Sequence, residues 1–234
     1  QGIPSILGVV LLLDLKTGAI LSMMDGAYIT AIRTGAAGGI ATKLLARENA
    51  ETVAVFGCGT QGKTQLEAVC NVRPIKQALL YDLNMDTAIK LKADMEEKLN
   101  ISIHIEKNLE HLKKADIICT ATNAEKPLFS QKDISKGVHI NAMGSYKSNM
   151  QELDPFIIKE GKLFVDSRRS VLKESGDLIK PIAEHIFTDR IIEAEIGELI
   201  NEKTLGRHTD NEITIFKSVG LGVQDLFAAH AIFE

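Results

Sequence analysis

Three glycines, Gly57, Gly59 and Gly62, mark the first place in this sequence where chemistry is legible. They follow an apolar, β-rich run, Thr52-Val53-Ala54-Val55-Phe56, and precede a helix-compatible segment from Lys63 to Val72. A Gly-x-Gly-x-x-Gly turn between strand and helix suits the pyrophosphate of a dinucleotide. Gly57 permits the sharp turn, Gly59 lets backbone approach the phosphates, and Gly62 lets the helix pack close to the strand. The free N–H groups and positive dipole end of that helix complete an anion cradle, with Thr60 and Gln61 inside it. The next apolar run, Gln77-Ala78-Leu79-Leu80-Tyr81, ends on Asp82, twenty positions after Gly62. A carboxylate there accepts both ribose hydroxyls of an adenosine and repels a 2′-phosphate, which favours NAD(H) over NADP(H). The bland alternative is an ordinary βαβ turn with a solvated aspartate. The turn and the carboxylate together favour the nucleotide.

Arg33 is the second candidate. From Thr30 to Ala46 small residues recur at almost every position, so a helix there can pack very closely, with Thr30 as its N-cap. Gly35, Gly38 and Gly39 each cost such a helix roughly 1 kcal/mol relative to Ala. Arg33 is the one arginine in that stretch. A solvated surface arginine and an anion-binding guanidinium both fit these residues.

Other chemistry is excluded. The six histidines and three cysteines (Cys58, Cys70, Cys119) are scattered without metal-ligand spacing. The cysteines read as free thiols of a reducing compartment, and the expected location is the cytoplasm. A net charge of −4 with no basic run argues against nucleic acid. The apolar run Val9–Leu13, preceded by Ile6-Leu7-Gly8, is too short to span a bilayer and has no basic segment before it. The 234 residues are 45% hydrophobic, enough for a sizeable core in one large or two small domains. The sequence opens on Gln1 rather than Met, and upstream residues are expected to be missing.

The elements that must position these residues alternate cleanly. Ile6–Leu15 reads as a buried strand, turned at Lys16-Thr17-Gly18 into a hairpin partner, Ala19–Met24. After the glycine turn come strand Gln77–Asp82, helix Met85–Leu99, strand Ile101–Ile105 and a short helix Leu109–Ala115. Strand Asp116–Thr120, strand Val138–Ala142, helix Leu153–Lys159 and a sixth strand, Lys162–Asp166, follow. Six strands with intervening helices predict a doubly wound parallel sheet with its ligand at the carboxyl ends of the strands. Gly57, Asp82, Thr122 and Gly144 close those strands. The tail returns to alternation in Asp210–Ser218 and ends in a helix, Val223–Phe233, where His230 reads as a packing or surface residue. The nucleotide domain is thus expected to be inserted between an N-terminal hairpin and the C-terminal segment.

The sequence resembles the family of ornithine cyclodeaminase, mu-crystallin and archaeal-type alanine dehydrogenase. The motifs carrying the resemblance are Gly2-Ile3-Pro4-Ser5, Asp25-Gly26, Thr30-x-x-Arg33-Thr34-x-Ala36-Ala37, Phe56-Gly57-x-Gly59-x-Gln61, Thr120-Ala121-Thr122, Gly144-Ser145-Tyr146 with Gln151-Glu152-Leu153-Asp154, Val165-Asp166-Ser167-Arg168, and Phe216-Lys217-Ser218-Val219-Gly220. They span nearly the whole chain in the family's order. The resemblance implies a Rossmann domain for NAD(H) or NADP(H), here residues 31–204. It also implies a smaller α/β substrate and dimerisation domain built from residues 1–30 and 205–234, and a homodimer. By motif position, Ser5, Thr34, Thr60, Gln61, Asp82, Thr122, Met143 and Ser218 lie along the cofactor. Arg33 lies between nicotinamide and substrate carboxylate, which decides for the anion-binding reading.

Two departures shape the expected activity. In cyclodeaminases the residue two after the Gly of the Gly144 motif is a proton-handling aspartate, and here it is Tyr146. A phenol, protonated at neutral pH, is a poor substitute. The family's substrate lysine lies upstream of the Gly-x-Pro motif, before this chain begins. The expected function is therefore NAD(P)-dependent hydride transfer to or from the α-carbon of a small amino or imino acid, of alanine dehydrogenase or pyrroline-2-carboxylate reductase type. Arg33 and Tyr146 are its candidate catalytic residues. The alternatives are ornithine cyclisation to proline and a non-catalytic, mu-crystallin-like cofactor binder.

Overall fold

The computed structural model describes residues 7–234, so Ser5 and its Gly2-Ile3-Pro4 motif lie outside the described residues. Strands β1 (Val9–Leu13) and β2 (Ile20–Asp25) form an antiparallel hairpin. Its turn is held by Asp14, whose Oδ1 accepts the N–H groups of Lys16 and Thr17 and the Thr17 hydroxyl. The sequence predicted a buried strand here, and the structure corrects this. Only Leu12 is buried, while Val9, Leu11 and Leu13 are 58%, 45% and 52% exposed. A two-stranded ribbon buries side chains only where another layer covers it.

Helix α1 runs from Gly26 to Leu45, five residues longer at its start than expected. Its N-cap is Asp25, whose carboxylate accepts the N–H groups of Ala27 and Tyr28, and Thr30 is an interior residue. The small-residue face lies against α2 (Thr60–Val72). A Cβ on Gly35 would stand 2.9 Å from the Thr64 carbonyl oxygen, and one on Gly39 would stand 3.2 Å from Ala68 Cβ. Gln65 Nε2 crosses this contact to donate to Thr34 O at 2.8 Å. The C-terminal carbonyls of α1 are satisfied by arginines: Arg73 donates to Lys43 O, Ala46 O and Arg47 O, and Arg207 Nε donates to Leu45 O.

The main sheet takes eight strands, all parallel, against the six expected. In chain order they are β3 (Thr52–Phe56), β4 (Gln77–Tyr81), β5 (Ser102–Ile105), β6 (Ile117–Thr120), β7 (His139–Ala142), β8 (Lys162–Val165), β9 (Ile192–Glu195) and β10 (Thr214–Lys217). Their spatial order is β5-β4-β3-β6-β7-β10-β8-β9. Strand β10, read in the sequence as part of the tail, lies inside this sheet between β7 and β8. Helices α3 (Met85–Leu99), α4 (Pro155–Glu160), α5 (Arg168–Glu174), α6 (Gly176–Ala183), α7 (Ile196–Ile200) and α8 (Gly222–Phe233) complete the elements, with α8 packed on α1 and β1. The short helix predicted over Leu109–Ala115 reduces to one 3₁₀ turn, Leu112–Lys114.

Alternation within each strand feeds two cores. Ala54, Phe56, Leu79, Ile118, Ile140, Leu163 and Ile215 pack on one face, and Val53, Val55, Leu80, Ile103, Ile117 and Cys119 on the other. This is the signature of a parallel sheet covered on both sides. A polar strut crosses between β7, β10 and α1. His139, fully buried, bonds to Thr214 Oγ1 at 3.0 Å and Asn141 Oδ1 at 3.1 Å. Asn141 Nδ2 then donates to Thr42 Oγ1 at 2.8 Å. Burial pushes the His139 imidazole down to about 3, so it is neutral in the folded protein.

Candidate functional site

The chain leaves β3 toward β4 and β5, then returns on the other side of β3 to start β6. This reversal opens a crevice at the carboxyl ends of β3 and β6, where ligands of doubly wound sheets bind. Gly57 stands there at φ +88°, a conformation open to glycine, with its α-carbon pressed against the Ala121 carbonyl. Gly62 is pressed against the Gly57 carbonyl. Gly59 differs, because a Cβ on it would meet nothing within 4 Å, and its open side faces away from the packed chain. Helix α2 begins at Thr60, three residues earlier than expected, so Thr60, Gln61 and Gly62 form its first turn. Their N–H groups precede the first intrahelical bond, Lys63 N–H to Gly59 O at 3.0 Å.

Asp82 is locked beside this turn. Its Oδ2 accepts the Cys58 N–H at 2.6 Å and its Oδ1 the Asn84 N–H at 2.7 Å. Burial, and then the neighbouring Asp82 charge, push the Cys58 thiol up to about 12, so it stays protonated. Gln61 Oε1 is buried without a hydrogen-bond partner among the described residues.

The ends of β6 and β7 are tied together by Glu152, whose role the sequence did not reveal. Its fully buried carboxylate accepts the Thr120 hydroxyl (2.7 Å), the Thr122 N–H (2.7 Å) and hydroxyl (2.8 Å), and the Gly144 N–H (2.8 Å). Desolvation raises its pKa, against Lys217, which lowers it, and Asp177, which raises it further. Asp177 Oδ1 in turn accepts the N–H groups of Glu152 and Leu153, and Lys217 Nζ lies 3.2 Å from Asp177 Oδ2. Met143, expected along the cofactor, is buried with Ala41, Phe164 and Phe216. Tyr146 is 42% exposed, with Lys147 Nζ 5.4 Å from its ring centre.

The contacts continue to Arg33. Ser218 N–H donates to Ala142 O, beside Met143. Asp166 Oδ2 accepts the Ser218 hydroxyl at 2.7 Å and the N–H groups of Val219 and Gly220 at 3.0 and 2.8 Å. Gly220, at φ +86°, is pressed against the Arg33 guanidinium. Asp82, Gly57, Thr122, Gly144, Ser218 and Arg33 thus lie along one run of neighbouring contacts. Thr34 is buried, Thr60 is exposed, and Tyr146 joins the run through its backbone N–H to Gly144 O.

These residues fit a dinucleotide: an open glycine, free helix N–H groups, a fixed carboxylate after β4 and an unpartnered buried amide oxygen. Strand order and turn together define a Rossmann-type dinucleotide-binding protein. Comparison with known proteins narrows this class. The profile of the Ornithine cyclodeaminase/mu-crystallin family matches residues 1–234, and the chain belongs to that family. It is 44% identical to the Delta(1)-pyrroline-2-carboxylate reductase of Bacillus thuringiensis subsp. konkukian (strain 97-27), over 100% of this chain and 72% of that protein. It superposes with a TM-score of 0.96 on the Thermococcus litoralis Delta(1)-pyrroline-2-carboxylate reductase in complex with NADH and L-proline, at 44% identity, over 99% of this chain and 72% of that one. An archaeal alanine dehydrogenase dimer with bound NAD gives a TM-score of 0.93 at 36% identity, over 100% and 72%.

Proposed function

We propose that this protein is an NAD(H)-dependent oxidoreductase that reduces the C=N bond of a small 2-imino acid of the pyrroline-2-carboxylate class. The observation that carries the reading is 44% identity, over 99% of the chain, to a reductase whose structure is a complex with NADH and L-proline. Bound NADH supplies the hydride. The chain's own residues bind and orient. The Gly57–Gly62 turn holds the pyrophosphate, Asp82 the adenosine ribose, and Thr122, Met143 and Ser218 the nicotinamide end. Arg33 anchors the substrate carboxylate, and the buried surroundings of Met143 and Ser218 exclude water. Tyr146 Oη is the candidate among the described residues for donating a proton to the substrate nitrogen or walling the pocket.

The similarity to archaeal alanine dehydrogenase supports a second substrate, pyruvate with ammonia. Tyr146 weighs against ornithine cyclisation. The β1–β2 hairpin and α8 form the substrate and dimerisation part of a homodimer, a reading that the dimeric alanine dehydrogenase supports. None of the described helices is long and apolar enough to cross a membrane, and the free thiols of Cys58, Cys70 and Cys119 support a cytoplasmic location.

The test is loss of NADH absorbance with pyrroline-2-carboxylate, and separately with pyruvate plus ammonia. Oxidation of NADH with the imino acid is expected, and no oxidation with either would sink the reading. Two charge-assisted hydrogen bonds are together worth about 3 kcal/mol, or about a hundredfold. Arg33→Ala is therefore expected to raise the KM for the imino acid about that much and to change the Kd for NADH by less than about threefold. Equal losses would mean that Arg33 serves cofactor or fold.

A further inference from the structure

Arg33 is held from two sides by the first turn of α8. Its Nε donates to Asp225 Oδ1 at 3.0 Å and its Nη1 to Gln224 Oε1 at 3.2 Å. The pair is well shielded, with side-chain exposures of 14% for Arg33 and 26% for Asp225. Gly220 closes a third side, since a Cβ there would stand 2.8 Å from Nη2 and 2.9 Å from Cζ. The Ser218–Gly220 turn cannot drift, because Asp166 holds its hydroxyl and two of its N–H groups. The guanidinium is therefore fixed in plane and direction before any ligand arrives.

A guanidinium carries five N–H donors. Asp225 and Gln224 occupy two of them, on Nε and Nη1. One donor remains on Nη1 and two on Nη2, and neither nitrogen donates elsewhere among the described residues. This Nη1/Nη2 fork still matches a carboxylate bidentately. The anchor differs from a bare arginine in one respect: a carboxylate 3.0 Å away already compensates its charge. Asp225 Oδ2 accepts no hydrogen bond among the described residues, so that oxygen's share of the negative charge is unpaired there.

We propose that Asp225 is a specificity-determining residue: by neutralising the Arg33 anchor it makes the pocket select ligands that carry a cationic nitrogen beside their carboxylate. Gln224 is a positioning residue that aims the fork. The proposal rests on Arg33 as the carboxylate anchor of the reductase read above. A lone guanidinium rewards every carboxylate, including those of 2-oxo and 2-hydroxy acids. A guanidinium–carboxylate pair presents a dipole. A net-anionic ligand gains less from it, while a zwitterionic imino or amino acid meets an anchor for its anion and a nearby negative charge for its cation.

The experiment compares two inhibitors of nearly one shape, L-proline and tetrahydrofuran-2-carboxylate, the second having oxygen in place of the ring nitrogen. Their Ki values are measured against pyrroline-2-carboxylate in wild type, Asp225→Asn, Asp225→Glu and Gln224→Met, with the Kd for NADH and the melting temperature alongside. Wild type is expected to favour L-proline at least tenfold. Asp225→Asn keeps an oxygen acceptor for Arg33 Nε and removes the charge. It is expected to shrink that preference at least tenfold by strengthening the anionic ligand, with the NADH Kd within about threefold. Asp225→Glu restores the preference, and Gln224→Met weakens both ligands together. An unchanged ratio in Asp225→Asn would make Asp225 purely structural and overturn the proposal while the reductase reading stands. If Asp225→Asn does not fold, Asp225→Ser is measured by the same ratio. Equal binding of the two inhibitors by wild type also overturns it. Failure of wild type to oxidise NADH with the imino acid, or to bind L-proline, overturns the reductase reading, and the proposal falls with it.

Discussion

At the scale of residues, the site divides into groups recognisable from local spacing and groups that are not. The glycine turn and Asp82 were legible because their spacing is short and each position has its own steric demand. Asp82 is also where coenzyme choice should respond. Its carboxylate is fixed by the Cys58 and Asn84 N–H groups, leaving no freedom to swing away from a 2′-phosphate. Asp82→Ser is expected to lower the NADH-to-NADPH ratio of kcat/KM at least tenfold, and an unchanged ratio would shift that choice to other loop residues. Glu152 was not legible. It stood in a recognised motif without a role because three of its four donors lie 30 or 32 positions away, on Thr120 and Thr122. The Arg33–Asp225 pair, 192 positions apart, is a stronger case of the same kind. Side-chain pairing across such separations leaves no periodic trace in one sequence.

At the scale of elements, periodicity located those up to β8 with errors mainly at their ends, and passed over α5, α6 and α7. Asp25 and Thr30 are both good N-cap types, and only the backbone decides between them: Asp25 is extended at φ −65°, ψ 113°, while Thr30 is already helical. The close approach of α1 and α2 gives the glycines opposite expected behaviours. Ala for Gly in a helix interior gains about 1 kcal/mol of propensity, while overpacking a tight contact costs about 1–3 kcal/mol. Gly35 meets backbone at 2.9 Å, so the clash should win. Gly35→Ala is expected to lower the denaturant midpoint by the equivalent of about 1–2 kcal/mol. Gly59→Ala, facing open space at φ −75°, should leave that midpoint alone and weaken NADH binding at least tenfold. If Gly59→Ala bound NADH normally, the phosphates would not lie against that residue.

At the scale of the whole molecule, the sequence predicted a doubly wound sheet and the structure has one, but one of its strands and the position of another were missed. Strand β9 is only four residues long, and Glu193 and Glu195 interrupt its apolar pattern. Strand β10 was recognised as alternation but placed with the tail, because a sequence does not say which neighbours a strand will find. The strut joining β7, β10 and α1 has a consequence for acid stability. His139 carries its ordinary value near 6.5 when unfolded and about 3 when folded. The unfolded chain therefore binds a proton that the folded protein refuses. Stability should be full above about pH 6.5 and fall by up to about 1.4 kcal/mol per pH unit as pH drops toward 3. Urea titrations at pH 7 and pH 5.5 should show this loss, and His139→Asn should flatten the difference between them. An equal loss in the variant would assign the acid sensitivity elsewhere.

The place of β10 also sets a timetable. Strands β8 and β9 reach the remainder of the sheet only through β10, which is made after both. During synthesis, β3 to β7 can assemble as soon as they clear the ribosome, but β7 and β8 each wait with an unpaired edge until residues 214–217 emerge. Exposed edges of that kind invite pairing with other chains. The contact that closes the sheet is thus among its last to form. Ser218 follows it at once, so completion of the sheet and assembly of the loop over Arg33 are a single event. A nascent chain stalled before this point would carry its glycine turn in place and yet have no organised substrate pocket.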